Sequence, residues 1–383
     1  MKIFIVSRGY PSEKYKMNGI FEFDQAKALR EAGNDVVFIA ADIRSIRRWR
    51  KWGFEQTVVG GIPILAFNIP IGRLPCRIRH MFMRHSIKKL IRKAKKRFGS
   101  PDIVHAHFYH VGYVCGTIKD ELQSPLVITE HSSKMATGID EKTKRYASLA
   151  YARADGVICV SNSLAETLKN EFSVNSVCIP NIVDTSLFGM GAPNKTGFQF
   201  VSAGSLIGRK AHGVTIQAFA QAFANTDDVY LTIFGAGPER TNIERLIESL
   251  HLTNSIELAG LQSRKAMASK YAYSDCFVLC SRGETFGVAY IEALSCGLPV
   301  IATRCAGPED FVSDENGILI DVDSITQAAE AMRHMVKYRQ SYDRDRISKK
   351  IEQRFSGPVV ANKLMAFYAD VIEKTNHPLS SAK

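Results

Sequence analysis

Two glutamates eight residues apart raise the question of chemistry. In "SRGETFGVAYIEALSCGLPVIAT", Ser281 to Thr303, Glu284 comes just ahead of a helical pattern and Glu292 lies within it, with Gly297 and Pro299 closing the stretch. A solvated helix gains nothing from that layout. The pattern predicts a buried strand over "CFVLCS", a tight loop over "RGE", and a helix from about Thr285-Phe286 to Cys296 with Gly297 as its C-cap. Glu284 then stands at the carboxyl end of a strand, and Glu292 about two turns into the helix. The amides of Thr285, Phe286, Gly287 and Val288 would be that helix's unpaired first donors, a ready site for an anion. Gly287 would let a ligand approach the backbone closely. Blander readings stay open. Glu284 could merely favour the helix dipole. Glu292 could be an exposed helix residue, although Ile291, Ala293 and Leu294 beside it suit a buried or ligand-facing carboxylate equally well.

The elements around this pair repeat one theme. Apolar strand-like runs ("KIFIVS", "DVVFIAA", "DIVHAHF", "PLVITEH", "GVICVS", "SVCIPN") alternate with helical stretches in the first half. A second series ("FQFVSAGS", "VYLTIFG", "SIELAG", "CFVLCS", "PVIAT", "GILI") does the same in the second. Such alternation predicts parallel sheets with crossover helices. The polar, Gly- and Pro-rich run at 184–197 separates the two series. The expected organisation is therefore α/β, with two doubly wound Rossmann-like domains facing across a cleft. Their expected bounds are 1–183 and 184–355, followed by a terminal helix over 356–383 that returns to the first domain. Ligands of open α/β sheets bind at the carboxyl ends of the strands.

Composition excludes several classes. A chain of 383 residues with 45% hydrophobic and 23% charged residues is too long for one core and ordinary for a soluble protein. No window reaches the roughly 18 apolar residues of a membrane span, and the first apolar run breaks at Ser7-Arg8, as a strand would. The eight cysteines lack CxxC spacing and read as reduced core residues. The net charge of +12 is local: residues 44–97 hold 16 Lys and Arg against Glu55 alone, +15, which leaves −3 for the remainder. Within that region "RIRHMFMRHSIKKLIRKAKKRF", Arg77 to Phe98, has Met83, Ile87, Leu90, Ile91, Ala94 and Phe98 at helical spacing among basic residues. Lys88, Lys89, Arg92, Lys93, Lys95 and Lys96 either face anionic lipid headgroups or form the solvated face of a docked helix. Trp49 and Trp52 suit a membrane interface or a core equally. His105 and His107 share one face of a strand, but no third ligand follows at suitable spacing, so no metal site is expected. "FGAGPE" lacks the full dinucleotide glycine pattern.

The stretch from Glu284 to Thr303 resembles the E-x7-E region of the retaining GT-B glycosyltransferases of family 4. The resemblance continues in order along the chain, through "NGIFEFDQAKALREAGNDVVFIA", "VITEHSS", "IPNIVDTSLF", "VSAGSLIGRKAHGVTIQAF", "FGAGPE", "YSDCFVLCS" and "GPEDFVSDENGILI". It implies that Glu284 contacts hydroxyls of the donor sugar and that Glu292 holds the ribose of the nucleotide. It also implies that Lys210, with Arg209 beside it, neutralises the diphosphate. Asn18 and Gly19 would close over the phosphates, His131 would sit by the transferred sugar, and the backbone of Thr285, Phe286, Gly287 and Val288 would bind phosphate and sugar. Where the family commonly has an arginine ahead of the lysine, this chain has Ser205, which leaves Arg209 as the candidate substitute.

The function expected from this resemblance is transfer of a sugar, with retention and without metal or other cofactor. The donor would be a UDP- or GDP-linked sugar. The acceptor, bound by the first domain as the donor is by the second, would be a saccharide, lipid-linked, in bacterial surface polysaccharide synthesis, and the protein would lie at the inner face of the cytoplasmic membrane without binding nucleic acid. Two rivals remain: an epimerase or phosphorylase on the same architecture, and a non-catalytic membrane or nucleic-acid binder.

Overall fold

In the computed structural model, residues 1–12, 15, 17–44, 51–71, 74–191, 197–224 and 226–377 are described. Trp49 and several of the basic residues between positions 45 and 50 lie outside them. The chain divides into two compact units, Met1–Ile182 with Gly357–Lys383, and Val183–Ser356.

The first unit is built on an eight-stranded sheet: β1 (Lys2–Ser7), β2 (Asp35–Ile43), β3 (Gly53–Val59), β4 (Ile62–Ile69), β5 (Ile103–His107), β6 (Leu126–Glu130), β7 (Gly156–Cys159) and β8 (Val177–Cys178). The order is β3-β4-β2-β1-β5-β6-β7-β8, and every pairing is parallel except β3 with β4. The central strands are apolar on both faces, with Ile3, Phe4, Ile5 and Val6 fully buried, as a sheet covered on both sides requires. The β3–β4 hairpin is a departure from the expected all-parallel series. It turns on Gly60 and Gly61, both at positive φ (54° and 76°), the geometry of a two-residue hairpin loop.

The second unit holds β9 (Phe198–Ala203), β10 (Val229–Phe234), β11 (Ile256–Gly260), β12 (Cys276–Leu279), β13 (Val300–Thr303) and β14 (Gly317–Ile320). All six are parallel, in the order β11-β10-β9-β12-β13-β14. The order reverses about β9, so the loops after β9 and β12 diverge to opposite faces and leave a crevice at their carboxyl ends. One face of this sheet packs Phe200, Ile233 and Val278 against Phe219 and Met332 of the helices His212–Phe223 and Ile325–Lys337. The terminal helix Gly357–Asn376 belongs to the first unit, where Val360, Ala361, Leu364 and Tyr368 join the core beside helix Ile20–Glu31. All eight cysteines are free, and seven are buried.

Candidate functional site

The loops that leave β9, β10 and β12 are locked to one another. After β9, Leu206 donates to the Ala236 carbonyl (3.1 Å) and accepts from the Glu239 amide (3.0 Å). That close approach explains "GAG": a Cβ on Gly235 would meet the Gly204 carbonyl oxygen at 1.9 Å, and one on Gly237 the Leu206 oxygen at 2.2 Å. The β9 loop then forms a short 3-10 turn, Gly208–Lys210, and the Arg209 carbonyl accepts from the Arg282 amide (2.8 Å) in the β12 loop. The two loops therefore present their side chains together.

Their convergence point is Glu284. It is 6% exposed, and the Lys210 ammonium donates to its Oε1. The Arg209 guanidinium lies 3.5 Å from its Oε2 and donates to the Gly283 carbonyl. Glu284 is also fixed through its backbone, which bridges Ala306: its amide donates to the Cys305 carbonyl (3.1 Å) and its carbonyl accepts from Gly307 (2.9 Å). A buried carboxylate between two cations is held in one place.

The helix behind it starts later than the sequence pattern suggests. It runs Val288–Ser295, not from Thr285-Phe286, because Gly287 stands at its N-cap with φ 99°, in the left-handed region that ends regular helix. Thr285 and Phe286 therefore belong to the loop. Glu292 sits about one turn into the helix rather than two. It is buried, 5% exposed, and its Oε1 lies 3.3 Å from Arg264. Arg264 is the first residue of helix Arg264–Ala272, whose start is set by Ser263 accepting from the Ala266 amide (3.2 Å). A cation at a helix N-terminus opposes the dipole, and the Glu292 contact offsets that cost. Nothing in the local sequence singles out Arg264. Only the fold brings it to Glu292.

In the first unit, His131 follows β6 and its Nε2 lies 3.0 Å from Nδ1 of His107, at the end of β5. His105 is bracketed by Thr129 Oγ1 at Nε2 (2.6 Å) and the Tyr368 hydroxyl at Nδ1 (2.7 Å). Burial lowers His105 and His131 to about 3 and His107 well below its ordinary value, so all three are neutral rings near pH 7. The buried carboxyl of Glu130 organises the turn after β6: it accepts from the amides of Tyr109 (3.0 Å), His131 (3.0 Å) and Ser132 (2.7 Å) and from the Tyr151 hydroxyl (2.8 Å). Burial raises its pKa despite those donors. Gly19, φ 68°, caps helix Ile20–Glu31, and a Cβ there would meet the Gly9 carbonyl oxygen at 2.3 Å. Asn18 Nδ2 donates to the Tyr10 carbonyl (3.4 Å).

Two family models match the chain. "Glycosyl transferases group 1" covers residues 186–354 and "Glycosyltransferase Family 4" residues 23–187, so that together they span nearly all of it. The chain belongs to this glycosyltransferase family. Among its relatives, the N-acetyl-alpha-D-glucosaminyl L-malate synthase of Bacillus anthracis is 23% identical over 97% of this chain and 98% of its own. The putative teichuronic acid biosynthesis glycosyltransferase TuaC of Bacillus subtilis is 26% identical over 87% and 88%. Among solved structures, Anabaena Alr3699/HepE in complex with UDP-glucose superposes with a TM-score of 0.75 at 18% identity, covering 97% of this chain and 100% of that one. The architecture of this glycosyltransferase is GT-B, with two Rossmann-like domains.

The glycosyltransferase's basic helix, Cys76–Phe98, turns its apolar side to its own unit: Met83, Ile87, Leu90, Ile91 and Ala94 are buried, chiefly beside β2. They are not available to lipid. The large apolar side chains this helix exposes are Ile78, Met81 and Phe82, near its start. Lys88 (2.5 Å) and Arg92 (3.2 Å) reach the Glu121 carboxylate, and Lys95 donates to the carbonyls of Glu121 (3.0 Å) and Leu122 (2.6 Å). Lys93 lies over the Phe54 ring, 3.4 Å from its centroid, while Lys89 and Lys96 are exposed. No helix among the described residues is long and apolar enough to cross a membrane.

Proposed function

We propose that this glycosyltransferase moves a sugar from a nucleotide-sugar donor, with retention and without a metal ion, to a saccharide acceptor that is lipid-linked, in the synthesis of a bacterial surface polysaccharide. The observation that carries the donor reading is Glu284, held between Lys210 and Arg209 at the carboxyl ends of β9 and β12. A diphosphate needs cations and oriented amides, and a sugar needs a hydroxyl acceptor. Lys210, Arg209 and the backbone of Thr285, Phe286, Gly287 and Val288 offer the first set. Glu284 offers the second, and Glu292, oriented by Arg264, suits the ribose hydroxyls. Arg209 then supplies the cation that Ser205 lacks. In the first unit the proposed roles are those of the resemblance: Asn18 and Gly19 toward phosphates, His131 toward the transferred sugar.

The UDP-glucose in the Anabaena complex supports a nucleotide-sugar donor, and the name of the Bacillus subtilis relative supports a polymer product. Attachment to the inner face of the membrane rests on the +15 region and on exposed Ile78, Met81 and Phe82.

The test is direct. Nucleotide sugars in excess chelator should raise the melting temperature, and proton NMR of the product should find the donor's anomeric configuration kept. Stabilisation that appears only with Mg²⁺ or Mn²⁺ contradicts the metal-free reading, and an inverted product contradicts retention.

A further inference from the structure

Beside the Asn18-Gly19 turn, which the proposed function directs toward the donor phosphates, the first unit contains a cavity of about 730 Å³ whose lining includes Arg8, Glu22, Asp42, Arg44, Arg79 and Lys134. Its charges do not cancel. Asp42 is committed to Arg44 (2.5 Å), and Lys134 to Asp140 (3.0 Å). Glu22 is buried and accepts from the Ser7 hydroxyl (3.0 Å), and burial pushes its carboxyl up against the pull of Arg8. Arg8 lies over the Phe108 ring, 3.6 Å from its centroid, and is exposed. Among the described residues, neither Arg8 nor Arg79 forms an ion pair with a carboxylate. Arg79, Arg8 and Lys134 all add to the field at His110, one wall of the cavity, which burial has already lowered to about 3.

The nitrogens of His80 and His110, which line this cavity, and the Cys76 thiol lie within 4.8 Å of one another, a spacing that could hold a metal ion. The surrounding arginines and lysine oppose a dication there, and the same field favours an anion. Neutral His80 and His110 add hydrogen-bonding edges beside it.

We infer that this cavity binds an anionic group carried by the acceptor, a phosphate or a carboxylate, with Arg79 and Arg8 as its ligands. The inference rests on the reading of the first unit as the acceptor domain. It makes the acceptor a charged saccharide rather than a neutral one. Planar guanidinium groups match both oxyanions in a two-bond geometry.

The test uses the full chain with UDP in excess, so that anions cannot report from the donor site. Calorimetric titration with glucose 6-phosphate, glucuronate and glucose should show the first two binding and glucose not. Preference between the first two separates phosphate from carboxylate. Arg79→Gln and Arg8→Gln should each weaken the anionic ligands by roughly ten- to a hundredfold, and Arg79→Lys should restore part of the loss. Unchanged melting temperatures and unchanged UDP binding in the variants exclude misfolding as the cause. Glucose binding as tightly as its charged analogues overturns the inference, as do variants that bind them like wild type. So does anion binding that disappears in chelator, because a metal would then be the ligand. If UDP and nucleotide sugars are neither bound nor consumed while the arginine-dependent binding holds, the transfer reading fails and the cavity's assignment stands. If the donor is consumed but the charged sugars do not bind, the reverse follows.

Discussion

On the proposed roles, Lys210 and Glu284 would have different partners once a donor is bound, so their variants should fail differently. Lys210→Ala removes a charge-assisted contact to phosphate worth about 1.5 to 3 kcal/mol, and nucleoside diphosphate affinity should fall roughly ten- to a hundredfold. Glu284→Gln keeps the shape but loses the charged acceptor proposed to touch the sugar and not the nucleotide, so it should lower kcat with little change in diphosphate affinity. Equal losses of diphosphate affinity in both variants would contradict the division of roles. Arg264→Ala provides a third readout. It leaves Glu292 buried without the cation 3.3 Å away, so binding of a whole nucleotide should weaken while binding of pyrophosphate should not. The position of Glu284 at a strand end was legible from the sequence pattern, and that of Lys210 came only from the resemblance. Arg264 was legible in neither way, since its meaning comes from an approach between helices distant in the chain. The start of the helix was misjudged for a related reason. A glycine in "ETFG" reads as flexibility near a helix start, whereas the fold uses it in the left-handed conformation to begin the helix at Val288.

The basic helix shows what periodicity can and cannot say. Its amphipathic pattern was plain, but a sequence does not tell whether an apolar stripe faces lipid or the protein's own sheet. Here the stripe is buried, and part of the charge is structural. Lys95 satisfies the last carbonyls of the short helix Lys119–Leu122, and Lys88 pairs with Glu121. Burial lowers the pKa of Lys95, as expected for an ammonium held against protein. The β3–β4 hairpin went unread because Pro63 counts against a strand and β3 is a half-exposed edge, although Gly60-Gly61 was a hairpin signal. A sharper membrane prediction follows. Changing Lys89, Arg92, Lys93 and Lys96 to Gln should abolish most co-sedimentation with anionic vesicles, since each charge near the surface contributes about 1 kcal/mol that salt screens. Met81→Asp with Phe82→Asp should remove the binding that survives high salt. Lys95→Ala should instead lower the melting temperature. If the first variant pellets like wild type, the helix is only a solvated face.

The division into two α/β units and the return of the terminal helix were readable from alternation and from one helical pattern with no strand after it. What that return accomplishes was not: Tyr368 reaches His105 across 263 residues of chain and closes a buried row of histidines. The row links stability to pH. His105 and His131 sit at about 3 in the folded protein, and His107 well below its ordinary value, against about 6.5 when unfolded. A group whose folded pKa is depressed is fully stabilising above its unfolded pKa. As pH falls below about 6.5, the unfolded chain takes up protons that the folded chain refuses. Each of these histidines then costs up to about 1.4 kcal/mol per pH unit. Glu22 and Glu130, raised by burial, act in the opposite sense from about their ordinary 4.5 upward, but wild type and variant share them, so the difference in slope between the two isolates the histidine. Urea unfolding followed by circular dichroism at pH 7.0, 6.0 and 5.0, roughly spanning this window, should show stability falling steadily. His107→Asn removes one titrating ring while keeping a polar side chain beside His131. Its stability should fall with a slope smaller by about one proton, even if it starts lower at pH 7. A variant whose slope matches that of wild type would mean that the His107 ring is not held neutral by the fold.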